Sequence, residues 1–380
     1  MLSFNKLKNL LWGIVIIMKK KGALMKKIIL AGGGHGHINI LKNLIKNPIT
    51  DCEIILITDN KRQYYSGMLA GFIEGIYTEE EISFDVPDLC KRAGVKYIEE
   101  KITRIDKKNR KLVTEYGNYS YDFLSINLGS QSRLLFSVNS SLVSLVKPIG
   151  NVVRDKAIID KIVKEKQGAN ITFIGGGASG VELALSFRAA YPSAGITIIT
   201  ANEILENFND RARKKFLKIF KEKNIEVFSH ERVSEIIDNT VITDKAAHDF
   251  DYAFITSGFR GIDVDFDGFM TDDKNYLYVE DDLSAGKNVL AMGDSASIKI
   301  YPTMPKAGVF AIREAPILYN NLLAMINGED KLKAYMPQLK YLQIINCGDK
   351  KALSNYGNFA SFGSLSWKIK DKIDRDYMKV

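Results

Sequence analysis

Cysteine is scarce in this chain. Only Cys52, Cys90 and Cys347 occur in 380 residues, and no two of them stand at a CxxC or CxxxxC spacing. That excludes a local redox-active dithiol and a disulfide framework, and it points to a reducing compartment, the cytoplasm. Histidine is also sparse: His35, His37, His230 and His248 form no ligand-spaced cluster, so no metal site is expected. No apolar run reaches the roughly 20 residues of a membrane-spanning helix. The run LLWGIVIIM at 10–18 is flanked by lysines and lacks an A-x-A cleavage site after it, and a second Met stands at 25. Residues 1–24 therefore read as a leader or a mis-called start. The net charge of +8 is small and evenly spread, with no Arg-rich stripe or zinc-finger spacing, which argues against nucleic acid as a partner. A composition 46% hydrophobic and 26% charged excludes a disordered or fibrous chain and leaves a soluble globular one of two or three domains.

What is present is an α/β pattern written twice. KIILA at 27–31 predicts a strand, GGGHGH a turn, and Ile38, Leu41, Leu44 and Ile45 recur at helical spacing until Pro48; CEIILITD at 52–59 predicts the next strand. ITFIGGGASGVELALSFRAA followed by GITIIT repeats that order over 171–200. Both are βαβ units of a parallel sheet, so two Rossmann-like dinucleotide-binding domains are expected, with β-rich insertions and a small C-terminal segment. Two later stretches also match in layout. YDFLSINLGS and FDYAFITSG each run from an Asp-aromatic start through an apolar strand to a glycine, Gly129 or Gly258.

The glycines carry the chemistry. A pyrophosphate at a helix N-terminus needs free N–H groups and no side chain in its way. Gly175, Gly177 and Gly180 form a complete G-x-G-x-x-G between predicted strand and helix. In the first unit Gly32 and Gly34 hold two of these places, but His37 takes the third and His35 lies inside the turn. Either ring donates to the bound phosphate or faces the cofactor, or His37 packs. The acid that grips ribose hydroxyls is displaced in both units. Thr58 stands at the first strand end with Asp59 beside it; Thr200 stands at the second with Glu203 three residues on. VLAMGDSA at 289–296 delivers Gly293 and Asp294 to a helix start, where an N-cap role would explain the aspartate alone but not the order of all the elements.

With these motifs in place, the sequence resembles the pyridine nucleotide-disulfide oxidoreductase superfamily from Met25 onward, and within it the type II NADH dehydrogenase-like proteins. GGGHGHINIL, YYSGMLAGFIEGIY, PKAGVFAIREAPILYNNL, YLQIINCGDKKALSNYG and WKIKDKIDRDYM are similar to the branch associated with selenide, water dikinase. The resemblance implies a leader at 1–24, an FAD-binding domain at 25–150 resumed at 273–330, an NAD(P)H-binding domain at 151–272 and a C-terminal segment at 331–380. It places FAD against Gly32, Gly34, His35, His37, Asp59, Ser66, Gly67, Met68, Gly129, Gly293 and Asp294. It places NAD(P)H against Gly175, Gly177, Gly180 and Gly258, with Glu182 near the nicotinamide. The family's A-Q-x-A-x-Q-[QE] quinone motif falls on Gly308–Glu314, where only Ala311 and the final acid survive. Arg313 in that run either stabilises reduced flavin or pairs with Glu314 or another acid; Glu182, Arg313 and Glu314 are the candidate catalytic residues.

The function implied is an FAD-dependent NAD(P)H dehydrogenase passing electrons to a small acceptor. The acceptor is a membrane quinone, a selenium compound reached through selenide, water dikinase, or a soluble oxidant. A flavin-binding scaffold without turnover is the non-enzymatic alternative. The tail FASFGSLSWKIKDKIDRDYMKV reads either as an interfacial anchor on the inner face of the cell membrane or as core packing. A homodimer is compatible with all of these.

Overall fold

The computed structural model describes residues 25–380, so the stretch 1–24, expected to be a leader or a mis-called start, lies outside the described residues. The first unit runs β1 (Lys26–Ala31), α1 (His35–Lys46), β2 (Cys52–Thr58), α2 (Ser66–Ile73), β3 (Lys96–Glu99) and β4 (Phe123–Ile126). A short strand, β5 (Ser130–Ser132), leads out of it. The second unit runs β6 (Val143–Leu145), α3 (Gly150–Glu165), β7 (Asn170–Ile174), α4 (Ala178–Ala190), β8 (Gly195–Thr200), β9 (Ile225–Ser229) and β10 (Tyr252–Ile255). The chain returns through β11 (Phe259–Gly261) to β12 (Ser284–Gly286), β13 (Val289–Ala291) and α5 (Gly308–Asn327). Three strands, β14 (Gln343–Asn346), β15 (Ala352–Tyr356) and β16 (Phe359–Gly363), and the helix α6 (Ser364–Met378) close the structure.

Two sheets organise these elements. The first has the order β12-β13-β4-β1-β2-β3 and is parallel except for its β12 edge. The second, β6-β10-β7-β8-β9, is parallel throughout. Helices cover both faces of such sheets, which is why their strands read as unbroken apolar runs rather than alternating ones. Ile28, Ile29 and Leu30 in the first sheet, and Ile171, Phe173 and Ile198 in the second, are fully buried. The matching Asp-aromatic starts have a shared cause. Asp122 accepts a hydrogen bond from the Lys27 N–H at 2.7 Å, and Asp251 accepts one from the Asn170 N–H at 2.8 Å. Each aspartate thus holds the first residues of its sheet's central strand beside its own strand.

The boundaries between units differ from those expected. Val143–Leu145 pairs with β10, so the second unit takes in residues ahead of 151. Val264 and Phe266 are buried in the first unit's core, so the chain has returned there before 273. The two crossings are tied together: β5 pairs with β11, antiparallel, with Ser130 opposite Gly261. The C-terminal helix is built inside out. Ser366 and Asp374 are buried on its inner side, while Leu365, Ile369 and Ile373, four residues apart, face outward at 73%, 42% and 49% exposure. No helix among the described residues is long and apolar enough to cross a membrane.

Candidate active site at the junction of two glycine turns

The first turn follows β1. Gly32 has φ +92°, a backbone conformation that glycine adopts without strain, and its N–H donates to the Ile57 carbonyl at 2.8 Å. Asn127, at the end of β4, fastens the rest: its carbonyl accepts from Gly34 N–H at 3.1 Å and its Oδ1 from Gly36 N–H at 2.8 Å. A Cβ on Gly34 would strike the Asn127 amide, and one on Gly36 would strike the Met292 sulfur. Gly36 therefore supplies the close helix–strand approach that the third glycine normally gives. The N–H groups of Gly33 and His35 make no hydrogen bond among the described residues, leaving donors at the start of α1 for an anion.

His37 is fully buried, with Nδ1 2.6 Å from the Gly32 carbonyl and Nε2 2.8 Å from Ser125 Oγ. A carbonyl only accepts, so Nδ1 carries the proton. Burial lowers the ring's pKa to about 4, so it is neutral and Nε2 accepts from the serine. Both nitrogens are spent inside the protein, which makes His37 a packing residue and leaves nothing for a phosphate. His35 is half-buried and hydrogen-bonded through Nδ1 to the Tyr377 hydroxyl at 2.7 Å; burial lowers its pKa to about 4 as well.

The second turn repeats the first without the histidine. Gly175, at φ +128°, donates to the Ile199 carbonyl at 2.8 Å, as Gly32 does to Ile57. Gly180 packs so tightly on the Gly175 carbonyl and Thr256 hydroxyl that a Cβ would collide with both. Gly177 caps the helix with open space around its Cβ position. Thr256 takes the place of Asn127, donating from Oγ1 to the Ile174 and Gly175 carbonyls at 3.0 and 3.1 Å. Gly129 and Gly258 follow these two residues at equal distance, both at positive φ, +82° and +74°. At the strand ends, Asp59 is exposed and bonded to Asn60, and Glu203 is exposed and 3.0 Å from His230 Nε2.

The remaining candidates gather at two places. At the first, Gly293 (φ +62°) donates to Glu314 Oε2 at 2.7 Å, while Glu314 Oε1 is buried without a partner among the described residues. Burial raises the Glu314 pKa. Beside it, Asp294 Oδ2 accepts from Lys147 Nζ at 2.6 Å and Ser130 Oγ at 2.8 Å. Burial would raise its pKa, but Lys147 and Ser130 more than offset that and hold it below the usual carboxylate range. At the second place the two units meet. Glu182, on α4, accepts from the Asn346 N–H at 2.8 Å and lies 3.9 Å from Lys370 Nζ. Lys370 in turn donates to the Gly67 carbonyl in the first turn of α2 and to Asp374 at 2.8 Å. The Ser66-Gly67-Met68 stretch of one unit and Glu182 of the other are thus joined by one lysine of α6. Burial raises the Glu182 pKa, with Lys370 opposing.

The sequence pattern of the pyridine nucleotide-disulphide oxidoreductase family matches residues 26–315, which hold both turns and the Gly293–Glu314 contact. The chain belongs to this family. It is a flavin-dependent oxidoreductase that works with a pyridine nucleotide. A NADH dehydrogenase-like protein of Bacillus subtilis (strain 168), YutJ, is 26% identical over 342 residues, covering 86% of this chain and 91% of the relative. A type II NADH:quinone oxidoreductase of Staphylococcus haemolyticus (strain JCSC1435) is 27% identical over 168 residues, 41% of this chain and 42% of that protein. Among solved structures, NDH2 from Plasmodium falciparum in complex with NADH matches with a TM-score of 0.78 at 14% identity, covering 93% of this chain and 97% of that one. The sulfide:quinone oxidoreductase from Aquifex aeolicus matches at 0.76 and 19%, covering 92% and 90%. At such identities the likeness is one of fold.

The residues fit the family's cofactors. Each turn leaves N–H groups unpartnered at a helix start, on a backbone where Gly34 and Gly180 pack too closely on Asn127 and Thr256 to carry side chains, and a buried orphan oxygen of Glu314 lies beside Gly293. The disulphide of the family's title has no counterpart among Cys52, Cys90 and Cys347, each free and buried. Burial raises all three thiol pKa values, Cys90 to about 12, which removes the reactive thiolate. Arg313 does not form the ion pair that was one of its two expected roles. It is exposed on α5 and makes no ion pair among the described residues, because neighbouring helix positions point about 100° apart and Glu314 takes the inward one. Asn127, Gly36, Lys147, Asn346 and Lys370 were not singled out from sequence. Only Asn127 carried a signal: N-x-G at 127–129 matches T-x-G at 256–258.

Proposed function

We propose that the chain is an NADH dehydrogenase that holds FAD on its first glycine turn and NADH on its second, and hands electrons to a quinone at a membrane face. The observation that carries this reading is the Glu182–Lys370–Gly67 junction, where the two expected cofactor sites converge. When bound, FAD would supply the two-electron chemistry that links hydride from NADH to an acceptor taking two electrons, with protons exchanged with solvent. The chain's own residues bind and orient. Gly32 and Gly34 clear the way for a pyrophosphate on the Gly33 and His35 N–H groups, Asp59 meets the adenosine ribose, and Asp294 keeps Oδ1 for the ribityl hydroxyls. Ser66, Gly67 and Met68 offer backbone to the flavin ring, and Gly129 and Gly293 let the chain pass close by. Gly175, Gly177, Gly180 and Gly258 do the same for NADH. Glu182, pushed toward its neutral form by burial, is suited to hydrogen-bonding the nicotinamide carboxamide. The carboxylate of Glu203 after β8 opposes a 2′-phosphate and favours NADH.

Two observations support a quinone and a peripheral place on the inner face of the membrane. A relative is named a type II NADH:quinone oxidoreductase. Residues 331–380 hold ten basic side chains against four acidic ones, and the exposed Lys368 and Lys372 stand on the same helix as the outward Leu365, Ile369 and Ile373; cations beside exposed apolar side chains suit an anionic lipid surface. No observation favours a selenium acceptor. The C-terminal runs that carried that association form β14, β15 and α6, which hold Glu182 and α2 in place. The test is reoxidation. Protein reduced by NADH without oxygen is mixed with a menaquinone analogue or with aerated buffer; the quinone is expected to restore oxidised flavin at least about tenfold faster. Equal rates would make oxygen the acceptor and remove the quinone from the reading.

A further inference from the structure

The C-terminal helix does more than cap the molecule. Its inward polar face reaches from the Ser66–Met68 stretch to the first glycine turn. Lys370 donates to the Gly67 carbonyl, Asp374 Oδ1 accepts from the Tyr65 hydroxyl at 3.0 Å, and Tyr377 closes the line. The Tyr377 ring lies 4.4 Å from that of Tyr65, its hydroxyl is 2.7 Å from His35 Nδ1, and its carbonyl accepts from Lys42 Nζ at 2.5 Å. The apolar stripe of α6 does not announce these contacts, because it faces outward while Lys370, Asp374 and Tyr377 face inward.

We propose that α6 is a latch on the flavin site, with Tyr377 its fastening point, and that it retains the cofactor. This rests on the reading that the first turn holds FAD. His35 and Lys42 are seven residues apart on α1, two turns along one flank. Tyr377 touches both, so it lies beside α1 and not across its N-terminal end. The Gly33 and His35 N–H groups stay open to a phosphate while the flank between the turn and residues 65–68 is shut. A plug would have occupied those donors; a latch leaves them free and blocks the way out. The hold joins hydrogen bonds to one aromatic contact, and its partners at Tyr65, Gly67, His35 and Lys42 lie more than 300 residues away in sequence. Losing it exposes the flank without dismantling either sheet.

The test is FAD release from the holoprotein on dilution, followed by the rise in free flavin fluorescence. Tyr377→Ala removes the ring contact and the hydrogen bond, and is expected to speed release about tenfold or more. Tyr377→Phe keeps the ring and is expected to speed it only about threefold. Leu365→Ser, on the outer face, is expected to leave the rate unchanged. Lys42→Met carries the test if Tyr377→Ala does not fold, and is expected to raise the rate several-fold. Release at the wild-type rate from folded Tyr377→Ala, or from Lys42→Met in its place, overturns the latch. Gly34→Val separates the two readings. If it loses FAD while Tyr377→Ala releases FAD at the wild-type rate, the turn assignment stands and only the latch falls. If it binds FAD as the wild type does, both fall.

Discussion

At the scale of single residues, His37 shows how a departure from a motif is absorbed. Where a glycine was expected, a neutral imidazole ties the Gly32 carbonyl to Ser125, and Gly36 takes over the close approach. The folded histidine stays neutral, with one ring proton, down to its pKa of about 4, whereas in the unfolded chain it titrates near 6.5. Between those values the unfolded state binds more protons. Its contribution to stability is therefore complete above pH 6.5 and lost as the pH falls toward 4, on the order of 3 kcal/mol for a fully buried ring. Urea unfolding across that range is expected to show the slope, and His37→Gln is expected to flatten it; an unchanged slope would mean other groups produce it. Asn127 is the second such residue. Asn127→Ala leaves the buried Gly36 N–H unpaired and takes one of two donors from the Met292 carbonyl, at a cost of about 1–3 kcal/mol, read from the denaturation midpoint.

The elements were legible in proportion to how local their causes are. The strands KIILA and GITIIT and both glycine turns stand where the sequence places them, because burial on both faces of a parallel sheet writes itself as an apolar run. The repeated Asp-aromatic starts were visible as a pattern, and the structure supplies the reason in Asp122 and Asp251. Domain boundaries were not legible. Val143–Leu145 belongs to the second sheet through pairing with a strand more than 100 residues later, and a three-residue strand carries no periodicity of its own. The polarity of α6 was also hidden: spacing identifies an apolar stripe at Leu365, Ile369 and Ile373 but not which way it faces. The glycine turns separate by substitution. Gly180→Ala drives a methyl into the Gly175 carbonyl and the Thr256 hydroxyl, so NADH affinity measured by calorimetry is expected to fall at least tenfold, about 1.4 kcal/mol, with FAD content unchanged. Loss of FAD from this variant would assign the second turn to the wrong cofactor.

Over the whole molecule, the two units are joined by a ribbon, by α2, whose Met68, Leu69 and Ile73 pack in the second unit's core, and by the C-terminal segment, which brings Glu182 and Gly67 together. Through Lys370 and Asn346 the last 50 residues hold Glu182 beside α2 while presenting apolar and cationic groups outward. A triple replacement of Leu365, Ile369 and Ile373 by serine is expected to abolish sedimentation with anionic vesicles while flavin reduction by NADH continues at its own rate. Vesicle binding that survives the replacement would move the membrane face elsewhere. The central claim is that NADH on the second turn reduces flavin held on the first. Anaerobic stopped-flow mixing of the holoprotein with NADH, following the loss of flavin absorbance, tests it most directly. The account predicts rapid bleaching in the wild type and bleaching in Gly180→Ala only at far higher NADH concentration. Flavin that stays oxidised in the wild type, or bleaches identically in both, would contradict it.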